Sequence, residues 1–75
     1  MTEITKLAEF VYASFSADEI VILNGILKIK DADERYLSCR KFVFTNQDIY
    51  LRIKAIVDPS WLIDKLYTIG RGHEF

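Results

Sequence analysis

Apolar residues recur at helical spacing at both ends of the chain and at an ambiguous spacing between them. Near the start, Ile4, Leu7, Ala8, Val11 and Phe15 follow the i, i+3, i+4, i+7 rule, which predicts a helix over residues 3–14 with Thr2 as its cap. Near the end, Leu62, Leu66 and Ile69 form a stripe with Ile63 and Tyr67 beside it, which predicts a helix over 59–69. Asp58 suits its N-cap, Pro59 its first turn and Gly70 its stop. The tail "RGHEF" is expected to be loosely ordered.

The stretch "EIVILNGILKIK", residues 19–30, fits two periods. As a helix it has capping-box spacing at Ser16 and Glu19, and Ile22, Leu23, Ile26 and Ile29 can share a face. Against that, Gly25 then sits mid-helix at a cost of roughly 1 kcal/mol, and β-branched residues abound. As a hairpin, Asn24-Gly25 supplies a two-residue turn between apolar runs. Ile20, Ile22, Leu27 and Ile29 then line one face without a polar intruder, and Glu19 faces Lys30 as an opposite-charge pair.

The hairpin reading extends along the chain. "DADE" (31–34) and "TNQD" (45–48) become four-residue turns, and Tyr36, Phe42, Phe44, Ile49, Leu51, Ile53, Ala55 and Val57 join the apolar face. Only Ser38 and Arg40 interrupt it, Arg40 being expected to form an ion pair with a helix acid such as Glu9 or Asp64. The expected fold is therefore α+β, in the order α-β-β-β-β-α, a four-stranded antiparallel meander packed on helices as one domain over residues 1–75. The rival is a small all-α bundle, with a helix starting in "DADERYLSC" and another capped by Thr45 and Asp48 and running through Val57.

Charge changes the picture of the opposite sheet face. The chain carries a net charge of −1, so it shows no global polyanion signature. Residues 28–54, however, hold seven cations and four anions. On the predicted register Lys28, Lys30, Lys41, Arg52 and Lys54 share a face with Tyr50, and Lys41 faces Arg52. Like charges placed opposite one another are unfavourable unless something anionic meets them. Solvated lysine heads above apolar stems give an equally ordinary account of such a face. Val21, Leu23, Ile26, Leu37, Val43 and Ile56 make the face partly apolar, which suits a protein interface better than nucleic acid.

The residue types that carry chemistry are sparse. "KFVF" lacks the glycines of an RNA-recognition signature, and "GRG" is no phosphate loop. His73 is the lone histidine, so no converging metal ligands are indicated. Cys39, the lone cysteine, reads as a small apolar filler and points to a reducing compartment. Asp31, Asp33 and Glu34 are better explained by turn chemistry than by a cation site. Trp61, Phe10 and Tyr12 are either core packing or interface anchors.

A hydrophobic share of 51% in 75 residues is generous for so small a core. The expectation is a non-enzymatic cytoplasmic protein that binds a protein partner, one with an acidic surface, as regulator, adaptor or inhibitor, with a homodimer also in view. No cofactor, metal or membrane span is expected. The alternative is a nucleic-acid-binding module that sets Lys28, Lys30, Lys41, Arg52 and Lys54 on phosphates, with Tyr50 stacking.

Overall fold

The computed structural model describes residues 3–69 and 72–75. The described residues form five helices and no strand: α1 (Glu3–Ser14), α2 (Ala17–Leu27), α3 (Ala32–Phe44), α4 (Gln47–Lys54) and α5 (Pro59–Ile69). The expected α+β meander is thus overturned, and the all-α alternative is the fold. The helices expected at the two ends are present with the expected bounds. Asp58 accepts the Ser60 amide at 3.0 Å, as an N-cap does. The expected cap at Thr2 and stop at Gly70 lie outside the described residues.

The supposed turns are helix starts. At Ser16 the hydroxyl accepts the Glu19 amide at 3.2 Å while the Glu19 carboxylate accepts the Ser16 amide at 2.8 Å, a complete capping box. In "DADE", Asp31 caps α3 by accepting the Glu34 amide at 3.0 Å, and Asp33 and Glu34 fill its first turn. In "TNQD" the cap is Asn46 rather than Thr45, and α4 stops at Lys54, short of Val57. Each cap satisfies amides that a helix start otherwise leaves unpaired. The same Asp and Asn side chains also favour turns, which is why the two readings compete for them.

Burial shows why period 3.6 wins over period 2. The pairs Leu23 and Leu27, Cys39 and Val43, and Ile49 and Ile53 are buried at i, i+4 spacing. On the predicted register Leu23 and Leu27 fall on opposite faces, and Cys39 and Val43 fall on the basic one. All four have no exposed surface. They join Leu7 and Val11 of α1, Phe15 just after it, and Leu62, Ile63 and Leu66 of α5 in one core. Helix α3 lies at its centre, packed on α2, α4 and α5.

Asn24-Gly25 is no turn. Gly25 continues α2, and the only positive-φ residue among the described ones is Gly72, at φ 86°. Asn24 is spent on the tail instead. It accepts the Phe75 amide at 2.8 Å and donates to the Phe75 carbonyl at 3.4 Å. The Gly72 amide donates to the Leu27 carbonyl at 2.9 Å, and the Phe75 ring packs edge-on against Tyr12 at 6.4 Å. The described part of the tail is therefore strapped along α2, contrary to the loose order expected, because the side chain of Asn24 saturates a backbone amide and carbonyl that would otherwise need water.

Candidate functional site

With no sheet, the predicted basic face does not exist as a surface. Lys28 ends α2, Lys30 lies in the loop that follows, and Lys41 occupies the last turn of α3. The expected Glu19–Lys30 and Lys41–Arg52 juxtapositions belonged to the sheet and fall with it.

Arg52 binds inward, not outward. Its guanidinium donates to Glu19 Oε1 at 2.7 Å, to Glu19 Oε2 at 3.3 Å and to the Ser14 carbonyl at 2.9 Å, and it also pairs with Asp48. It ties the end of α1, the start of α2 and the body of α4 into one corner. The hydrogen bond from Arg52 holds the Glu19 carboxyl below its ordinary value, against an opposing effect of burial. The same bond raises the Arg52 pKa. Arg52 is paired with Glu19 and Asp48 in this corner, with a third of its side chain exposed.

Tyr50 and Lys54 are brought together, in company the sequence did not suggest. The Lys54 ammonium lies 5.6 Å from the Tyr50 ring centroid, and Tyr50 packs on Phe44 at 5.5 Å. Arg40 follows over Phe44 at 5.1 Å and over Tyr36 at 5.9 Å. Tyr36 meets Tyr67 edge-on at 5.5 Å, and Arg35 lies 5.5 Å from the Tyr67 centroid. Three cations, with a pair of rings between each and the next, thus form a continuous ladder across α4, α3 and α5. Arg40 makes no ion pair among the described residues, so the expected bond to Glu9 or Asp64 is replaced by aromatic faces, which hold a guanidinium well. Arg35 is 7% exposed, donates to the Ile29 carbonyl at 2.9 Å and leaves its Nε without a partner.

The second feature is the outer face of α2. From Ile20 to Leu27 this helix carries no charge, and Asn24 is its one polar side chain. A helix apolar all round belongs inside a protein. Here only one side is covered, and Val21 is 70% and Ile22 54% exposed. Beside them a groove of about 370 Å³ runs between α2 and α3. Ile22, Ile26 and Phe42 form its apolar wall, and Lys41, Ser38, Thr45 and Asn46 its polar rim. Phe42 is backed by Phe15, stacked at 5.9 Å. Val21 and Ile26 were expected on the basic face of a sheet and lie instead on α2. A helical wheel started at the Ser16 capping box would have found this face.

Cys39 is fully buried, and burial pushes its thiol up to about 11, with Arg35 opposing, so it is a core side chain and not a nucleophile. His73 packs on Phe75 at 4.5 Å, and the described residues contain no group of three His, Cys, Asp or Glu that could hold a metal ion. Trp61 is 41% exposed and meets Phe10 edge-on at 6.4 Å, beside a cavity of about 260 Å³ between α1 and α5 lined by Lys6, Leu7 and Lys65. Among the described residues no helix is long and apolar enough to cross a membrane. Comparisons with known protein families, with curated proteins and with solved structures return no match for this chain.

Proposed function

We propose that this chain is a non-enzymatic protein-binding module, a regulator, adaptor or inhibitor that takes an amphipathic helix of its partner onto the outer face of α2. One observation carries the reading: α2 has the composition of a core helix and only half a core around it. The uncovered positions recur at helical spacing and border a groove between two helices, the surface into which an apolar helix stripe packs. Asp18 stands at one end of the face and Lys28 at the other, so a fitting partner helix carries a cation at one end and an anion at the other.

The test is a titration of the labelled protein, followed by amide NMR, with a helix-stabilised peptide bearing leucines at i, i+3, i+4 and i+7 and opposite charges at its ends. Shifts should be confined to α2 and the neighbouring turn of α3. They should vanish in Val21→Glu with Ile22→Glu, which leaves the fold intact because both side chains are exposed. Shifts on α4 and α5 alone, or none, would sink the reading.

A second reading rests on the ladder. Rings interleaved with Arg40 and Lys54, neither paired with a carboxylate among the described residues, resemble the stacking and phosphate contacts of single-strand binders. Under the first reading, labelled single-stranded oligonucleotides show no anisotropy change at low salt. Tight binding that weakens steeply with salt, and is lost in Arg40→Glu with Lys54→Glu, would put the second reading in its place.

A further inference from the structure

The ends of the α2 face are charged in opposite senses, and its middle is a glycine. Asp18, Val21, Ile22, Gly25 and Lys28 are all exposed and fall on one side of the helix, with Gly25 at the centre of the stripe. Neither Asp18 nor Lys28 is in an ion pair among the described residues, whereas Glu19, a quarter-turn away, is committed to Arg52. A Cβ added at Gly25 would meet nothing within 4 Å, and Gly25 has no positive φ. Nothing inside this protein therefore requires a glycine there. Its missing side chain leaves room for another surface to approach the α2 backbone closely.

We infer that the helix received by α2 is α2 of a second copy of the chain, packed antiparallel across a two-fold axis. The inference rests on the docking reading above and names its partner. Asp18 and Lys28 lie about 15 Å apart along the axis. An antiparallel pair centred at the level of Leu23 sets Asp18 of one copy against Lys28 of the other, twice. It also sets Val21 of each copy against Gly25 of its mate, a large side chain over a missing one. A parallel pair would set Asp18 on Asp18 and Lys28 on Lys28. The charge pattern therefore selects the antiparallel arrangement, and the surface is complementary to itself, as an isologous contact must be.

The size of the face sets the strength. A standard interface takes about 800 Å² from each partner, about a sixth of this protein's 4758 Å². An 11-residue helix supplies less than that alone, so the rim of α3 at Lys41 and Phe42 contributes and the dimer is of the weak, reversible class.

Sedimentation equilibrium from about 5 µM to about 0.5 mM tests this, a range chosen for micromolar dissociation. Wild type should pass from monomer to dimer. Asp18→Lys alone and Lys28→Glu alone should each weaken the dimer about ten-fold or more at low salt. The double variant should recover it, and an equal mixture of the two single variants should form heterodimers. Gly25→Leu should raise the melting temperature, because it improves the helix, and yet block dimerisation. No merely structural role for Gly25 joins those two results. A wild type that stays monomeric throughout, or a dimer indifferent to the charge swaps, would overturn the inference. If that monomer still shows the peptide-induced shifts on α2, self-pairing fails and the docking reading stands. If α2 is silent as well, both fail.

Discussion

Leu23→Ala is expected to lower the unfolding free energy by about 3 kcal/mol, within the usual range of about 2–5 for a buried leucine. Val21→Ala, two residues earlier, is expected to change it by less than about 0.5 kcal/mol. Leu23 has no exposed surface and belongs to the central core, whereas Val21 is 70% exposed. The pair is diagnostic of the fold. In a strand, residues two apart share a face, so the two substitutions would cost similar amounts. In α2 they lie some 160° apart around the axis, on opposite sides. A domain of 75 residues holds roughly 4–11 kcal/mol in total. Leu23→Ala should therefore drop the melting temperature by about 12–24 °C, measured by circular dichroism. Equal effects at the two positions would contradict the helical assignment of α2.

Arg52→Met is the second large effect, and it differs in kind. It removes the charge-assisted bonds to Glu19 and the bond to the Ser14 carbonyl, and leaves the Glu19 carboxylate, 18% exposed, without its cation. Hydrogen bonds to charged groups are worth about 1.5–3 kcal/mol when sheltered. The Arg52 side chain is 33% exposed, so screening by water reduces the expected cost to about 1–2 kcal/mol.

The loss should depend on pH in a defined sense. Glu19 is held below its ordinary 4.5 in the folded protein, so the unfolded chain binds the proton more readily. Its contribution is fully present above about 4.5 and fades as pH falls through the lower, folded value. Wild type and Arg52→Met should then converge in stability under acid. Urea unfolding at pH 7 and in the acid range measures both curves. A constant gap between them would mean that Arg52 acts through packing and not through Glu19.

The same corner illustrates what local sequence conceals. Glu19 and Arg52 are 33 residues apart; in the incorrect register Glu19 had a plausible partner in Lys30, and Arg52 faced the like charge of Lys41. Nothing local says that the carboxylate of the α2 capping box also receives α4. The ladder is similar. Arg40 and Phe44 are i, i+4 neighbours on α3 and could be paired on a wheel, but Tyr50 reaches Phe44, and Tyr67 reaches Tyr36, only because α4 and α5 pack on α3. The Asn24 side chain offered a strong turn signal and was used to hold Phe75, 51 residues away. The exposed stripe on α2 was visible in pieces, as apolar residues that a free sheet face should not carry, but its helical order was not.

By itself the sequence determined the two terminal helices, the capping-box spacing at Ser16 and Glu19, and an apolar content too large for a small core. Those are local or compositional properties, set by spacing of about four residues and by side chains that bond nearby amides. It did not determine the state of residues 19–57. Short apolar runs rich in isoleucine, valine and phenylalanine satisfy period 2 and period 3.6 alike, and Asp and Asn serve turns and caps equally well. Only the tertiary structure decided between them. Leu23 with Leu27, Cys39 with Val43 and Ile49 with Ile53 can all enter one core together only on helices, and a small chain gains most of its stability from that shared burial.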